Sequence, residues 1–217
     1  MNKWGLFSSM KNFKLIFGVA LISFLGGCAS GGGQLPPATA KEPYTTSPDQ
    51  YTYLIGPGDS VQIFVWRNPE VSNSVTVRPD GKITSPLVEE LEASGKTPEQ
   101  LARDIEGVLS TYIKEPIVTV MVGGFVGPYS EQIRIIGEAT NPQAIPYRED
   151  MTLLDVMIAV GGITEFAAGN RATIVRVVDG AQREYRVKLN KLIRGGDIAA
   201  NVDMLPGDIL IIPESFF

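Results

Sequence analysis

From residue 53 onward, short apolar runs alternate with turn residues, and the period of each run predicts the element it forms. Val61, Ile63 and Val65 alternate with Gln62, Phe64 and Trp66. That predicts a strand with apolar groups on both faces, buried on both, with Trp66 in the core. The strand is fed by Gly56-Pro57-Gly58-Asp59. Pro fixes φ there, Gly supplies a permissive position, and the Asp side chain is placed to accept from the turn's own amides. Leu205-Pro206-Gly207-Asp208 repeats the turn ahead of the apolar run 209–212. Residues 75–78 and 82–84 flank Pro79-Asp80-Gly81, which predicts a hairpin. Leu101, Ile105, Val108, Leu109 and Tyr112 share one helical face behind a capping box from Thr97 to Gln100. Pro98 takes the first helical position, Pro116 ends the segment, and 117–122 reads as a returning strand.

The second half has its own pattern. Residues 123–128, Gly-Gly-Phe-Val-Gly-Pro, predict a joint; with no Lys-Ser/Thr pair and no following helix, it is not a phosphate loop. A strand at 133–137 meets a partner at 144–147 across the turn Asn141-Pro142. A second capping box, Thr152 to Asp155, opens a helix through Val160 that Gly161-Gly162 stops. Residues 172–178 and 183–187 form a hairpin about Asp179-Gly180, a short helix covers 190–194, and the Pro-Gly-Asp strand closes the fold. The expected class is α+β: a small α+β domain at 53–124, then a β-grasp-like domain at 130–213 with a late central strand.

The first 52 residues look different. Lys3, Lys11 and Lys14 make a basic start without acids, and the apolar run 15–24 has secretory-signal length, too short to span a bilayer comfortably. Leu25-Gly26-Gly27-Cys28 then resembles a bacterial lipoprotein signal cleaved between Gly27 and Cys28, with lipid on Cys28, the only cysteine. Residue 29 is Ala rather than Asp, which favours the outer membrane of a diderm bacterium. Loss of residues 1–27 removes three lysines, so the formal charge of −5 becomes −8. Two or three acyl chains anchor stably where one holds only marginally. Residues 28–52 carry the lipid and a Gly-, Pro- and Ser-rich tether without periodicity. As a random coil its reach is roughly 27 Å, at about 5.5 Å × √n.

Composition narrows the chemistry. The acidic balance argues against nucleic acid as a partner. Histidine is absent and the one cysteine is committed to lipid, which excludes Ser-His-Asp and Cys-His catalysis and His/Cys zinc sites. Glu89, Glu90 and Glu92 cluster, but such clusters are mostly solvated surface. No catalytic residue, cofactor or metal site is expected. Trp66, Phe125, Tyr129 and Phe166 are candidates for stacking on sugar rings. The tail ends in Phe216-Phe217, a candidate interface or membrane-surface contact.

Taken in order, the lipobox, the tether, Tyr-x-Ile-Gly-Pro-Gly-Asp before Val-x-Ile-x-Val-Trp, and Val-Arg-Pro-Asp-Gly-Lys-Ile resemble the outer-membrane polysaccharide export lipoproteins. Residues 136–146, the stretch from Thr152 through Gly161-Gly162 to Thr164, and 206–213 resemble the family's soluble-ligand-binding β-grasp (SLBB) repeat. The similarity is greatest to the branch beside exosortase (PEP-CTERM) loci. On this resemblance Gly56, Pro57, Gly58, Asp59, Asp80, Gly81, Gly161, Gly162, Pro206, Gly207 and Asp208 are family-motif structural residues. The resemblance implies a non-enzymatic ring of identical subunits that guides exopolysaccharide across the envelope, above an inner-membrane polysaccharide copolymerase. The acidic mature chain would hold an acidic polymer weakly. Family members that form their own pore end in a long amphipathic helix; this sequence stops soon after its last strand, so a separate outer-membrane β-barrel is expected to complete the route. A scaffold lipoprotein and a soluble-ligand receptor are the alternatives.

Overall fold

The computed structural model describes Tyr44 and residues 51–215, which fall in one compact unit spanning 39–217. The expected signal, the expected lipidation site at Cys28, nearly all of the expected tether and Phe216-Phe217 lie outside the described residues.

The N-terminal half contains strands β1 (Ser60–Val65), β2 (Asn73–Thr76), β3 (Lys82–Ser85) and β4 (Val88–Glu92), helix α1 (Pro98–Leu109) and strand β5 (Val118–Gly123). β1 is central and pairs antiparallel with β2 and β5. Its inward residues Val61, Ile63 and Val65 meet Leu101, Ala102, Ile105 and Leu109 of α1, together with Ile55, Val77, Val118 and Val120, in one core. The helix starts where its box allows: Gln100 N–H donates to Thr97 Oγ1 at 3.2 Å and Thr97 N–H to Gln100 Oε1 at 3.0 Å.

Three expectations are corrected here. α1 covers only one face of the sheet, so Trp66 is 53% exposed rather than buried. Phe64, Trp66, Ile117 and Met121 are left as exposed apolar residues along β1 and β5. The Asp80-Gly81 turn forms, with Gly81 N–H donating to Arg78 O at 2.9 Å, yet it is not the tip of a hairpin between its two flanking strands. β2 pairs with β1, and β3 folds onto β4. The Gly81 carbonyl instead accepts the amides of Ala93 and Ser94, just past β4. Finally, α1 ends at Leu109, so Tyr112 lies beyond it and is exposed.

The C-terminal half comprises β6 (Gln132–Gly137), β7 (Ala144–Pro146), α2 (Leu153–Ala159), β8 (Ala172–Val178), β9 (Ala181–Val187), α3 (Leu189–Ile193) and β10 (Ile209–Ile212). Its sheet runs β7-β6-β10-β8-β9, with β10 parallel to β6 and antiparallel to β8. The last strand therefore fills the middle, as a β-grasp outline requires. Leu210 and Ile212 are fully buried there among Ile133, Ile135, Ile174 and the α2 residues Leu153, Val156 and Met157. Gly161 and Gly162 both take positive φ and stop α2, Gly162 N–H donating to Met157 O at 2.8 Å. The molecule is thus α+β throughout.

Candidate functional site at the domain junction

The two Pro-Gly-Asp segments form the same turn. Asp59 N–H donates to Gly56 O at 3.1 Å, and Asp208 N–H to Leu205 O at 3.2 Å. With Pro at the second position and Gly at positive φ in the third (+94° at Gly58, +79° at Gly207), both are type II turns. Each carboxylate then closes the turn again. Gly56 N–H donates to Asp59 Oδ2 at 2.8 Å, and Leu205 N–H to Asp208 Oδ2 at 2.8 Å. Both aspartates are fully buried.

They differ in what else they hold. Asp208 accepts a forked pair from Arg176, Nε to Oδ1 at 2.8 Å and Nη2 to Oδ2 at 2.7 Å, which ties the turn to β8. The Asp208 hydrogen bond raises the guanidinium pKa against the lowering effect of burial, and the guanidinium lies 5.8 Å from the centre of the Tyr185 ring. Asp59 has no cation partner among the described residues. Its Oδ1 accepts Val126 N–H at 2.6 Å and Gly127 N–H at 3.3 Å, and its Oδ2 also accepts the Tyr53 hydroxyl. One carboxylate therefore pins the joint to the first turn of the N-terminal half.

The joint is gripped from the other side as well. Gln132, the first residue of β6, donates through Nε2 to Val126 O at 3.2 Å and Gly127 O at 3.4 Å. Gly56 is required by contact: a Cβ there would stand 1.9 Å from the Gly127 carbonyl carbon. Between these clamps Phe125 sits at φ +46°, a backbone region that a bulky side chain rarely occupies. It is 56% exposed, with its ring edge-on to Tyr53 at 5.5 Å between centroids.

Phe125 and Tyr53 help to wall a cleft of about 400 Å³ whose other walls include Tyr51, Tyr147, Arg148 and Glu149. Tyr51 and Tyr147 meet edge to face at 5.0 Å. Burial, with Glu131 adding repulsion, pushes the Tyr51 phenol up to about 12. Burial followed by the Asp59 hydrogen bond raises Tyr53 further still. The Tyr147 hydroxyl is buried without a hydrogen-bond partner among the described residues. A second hollow of about 570 Å³ shares Pro146, Arg148 and Glu149 with the first and adds Asp150, Asp155 and Ile158. The cleft offers stacking faces and polar rim groups. No cluster of three His, Cys, Asp or Glu able to hold a metal occurs among the described residues.

Of the aromatic candidates read from sequence, only Phe125 lines the cleft. Trp66 stacks edge-on against Phe64 on the open sheet face, and Tyr129 and Phe166 are exposed elsewhere. Glu90 of the acidic cluster is exposed and pairs with Arg78 and Lys82, which lowers its pKa and raises that of Lys82. Tyr51, Tyr53, Tyr147 and Arg148 escaped sequence reasoning. The Tyr-x-Tyr spacing just ahead of Gly56-Pro57-Gly58-Asp59 was the available signal.

Residues 47–123 match the family model described as polysaccharide biosynthesis/export protein, and residues 131–212 match the SLBB domain. The chain thus carries an export domain followed by an SLBB domain. In these terms the clamped joint is the short stretch between the two matches, held by Asp59 from the export domain and Gln132 from the SLBB domain. The EPS I polysaccharide export outer membrane protein EpsA of Ralstonia nicotianae is 24% identical over 75% of this chain and 47% of its own length. Its namesake from Ralstonia solanacearum is 25% identical over 73% of this chain and 47% of its own length. The exopolysaccharide production protein ExoF of Rhizobium meliloti is 27% identical over 55% of this chain and 30% of its own length. The chain spans about half the length of the EpsA relatives it matches. The names of the two EpsA relatives describe polysaccharide export, and that of ExoF describes exopolysaccharide production.

Proposed function

We propose that this chain is a component of exopolysaccharide export, lipid-anchored through Cys28 to the outer membrane and facing the periplasm. The pairing of an export domain with an SLBB domain carries this, because relatives named as polysaccharide export outer membrane proteins align over about three-quarters of the chain. In the proposed arrangement identical chains form a ring that guides the polymer without making or breaking bonds. An inner-membrane polysaccharide copolymerase lies below it and a separate outer-membrane β-barrel above. A joint clamped from both domains supports a wall-building role, since a conduit needs subunits that hold their shape. Among the described residues no helix is long and apolar enough to cross a membrane.

Deleting the gene tests the export role directly: secreted exopolysaccharide falls, and unaltered secretion refutes the proposal. Detergent-extracted protein should give rings by negative-stain microscopy; a strict monomer moves the chain to a scaffolding role. Planar bilayers holding the lipoprotein alone should show no stable large conductance, and seeing one removes the need for a separate barrel. Cys28→Ala should release the protein from the membrane fraction.

A further inference from the structure

We propose that the cleft between the export and SLBB domains is a saccharide-binding site, in which Phe125, Tyr51 and Tyr53 stack on the faces of a neutral sugar chain and Arg148 and Glu149 hydrogen-bond its hydroxyls. The choice of a saccharide rests on the export function proposed above; the site itself rests on its geometry. Four observations converge on it.

The cleft's volume of about 400 Å³ falls in the range of small-ligand sites, and half of its lining residues are aromatic, with Arg148 and Glu149 as the charged groups. An aromatic face with a wet edge suits a sugar ring, which is apolar on its C–H face and polar at its rim. Phe125 is held exposed at positive φ by a joint that both domains grip. An exposed bulky residue in strained backbone gains the fold little, so the strain points to a use for the ring where it stands. The rim is also open to a ligand. The Arg148 and Glu149 side chains are exposed and make no hydrogen bond or ion pair among the described residues, which leaves a fork of donors beside an acceptor.

Charge selects the class of sugar. Arg148 and Glu149 cancel in the cleft, and the adjoining hollow adds Asp150 and Asp155. A polymer of uronic acids would meet net repulsion along this path, whereas a neutral chain would not. Because the two hollows share Pro146, Arg148 and Glu149, a chain occupying the first would continue past the same rim into the second.

The test is saturation-transfer NMR on the full lipidated chain in detergent, with cellohexaose, chitohexaose and mannohexaose as neutral probes and tetragalacturonate as the acidic one. At least one neutral probe should receive saturation and tetragalacturonate should not. Phe125→Gly relieves the positive φ, so its unfolding midpoint should stay or rise while affinity falls roughly three- to tenfold, the worth of one aromatic contact. Arg148→Ala, at an exposed and unpaired position, supplies a second variant that folds normally and also weakens binding. The proposal is overturned if no neutral probe binds, if Phe125→Gly and Arg148→Ala bind as the parent does, or if tetragalacturonate binds best. A change of oligomeric state in Phe125→Gly with sugar binding intact also overturns it, by making the cleft a contact between copies. Lost secretion in the deletion strain without binding of any neutral probe leaves export standing and removes only the cleft.

Discussion

Replacing Asp59 by Asn tests the clamp at its centre. The carboxylate is fully buried and accepts from four donors: Gly56 N–H, the Tyr53 hydroxyl, Val126 N–H and Gly127 N–H. An amide keeps one acceptor oxygen and turns the other position into a donor. With its oxygen toward the joint, the substituted side chain presents N–H to the Gly56 amide; flipped, it presents N–H to Val126 and Gly127. Either way at least one buried amide loses its acceptor, at about 1–3 kcal/mol. The surviving bonds fall from charged to neutral, roughly halving their strength. We expect a loss of about 3 kcal/mol, or an unfolding midpoint roughly 6–12 °C lower for a protein of this size. Hydrogen exchange locates the effect, because the Val126 and Gly127 amides should lose protection before the strands of either domain. Tyr53→Phe removes one donor only and should cost about 1 kcal/mol. The double variant should be less than additive, since both act in one network. An Asp59→Asn protein within about 0.5 kcal/mol of the parent, with Val126 and Gly127 still protected, would falsify the clamp.

The second turn makes a parallel prediction. Arg176→Ala leaves the buried Asp208 without its cation and should cost about 3–5 kcal/mol in chemical denaturation, where a loss below about 1 kcal/mol contradicts the pairing. Gly137→Ala places a Cβ 2.0 Å from Ile212 O at φ +87°, whereas Gly162→Ala meets nothing within 4 Å at a similar φ of +85°. Their unfolding midpoints should therefore differ, with Gly137→Ala the worse, and equal shifts would show that β6 and β10 do not approach as described. In the cleft, the Tyr51 phenol is raised from 10.0 to about 12, so the folded state favours the protonated ring. Its contribution to stability is whole below pH 10 and disappears as pH rises through 12. Phenolate absorbance should lag that of the unfolded chain across this window, and Tyr51→Phe should remove part of the lag; every tyrosine titrating near its usual value rules it out.

What the sequence made legible was local. Both capping boxes, the Asp179-Gly180 hairpin and the two Pro-Gly-Asp turns are set by residues within four positions of one another, and each appears in the structure. Errors arose wherever the answer depended on a distant partner. Alternation along β1 cannot say whether a second layer covers the outer face; α1 covers only the inner one, so Trp66 and Phe64 stay in solvent. Asp80-Gly81 is a true turn, but the strands on either side found partners further along the chain. The cleft was invisible because Tyr51 and Tyr147 lie 96 residues apart. Asp59 shows how the two levels connect. A type II turn uses one acceptor site of the aspartate at its fourth position, and a carboxylate offers about four. Those left over lie buried at a fixed place beside the turn, where they must find donors. In the closing turn they take a guanidinium on a neighbouring strand; in the first they reach 67 residues along to the amide of Val126. The local motif thus dictates that a long-range bond will form there. Which segment supplies the donors is decided by the topology, and in the export domain it is the segment that carries Phe125 to the mouth of the cleft.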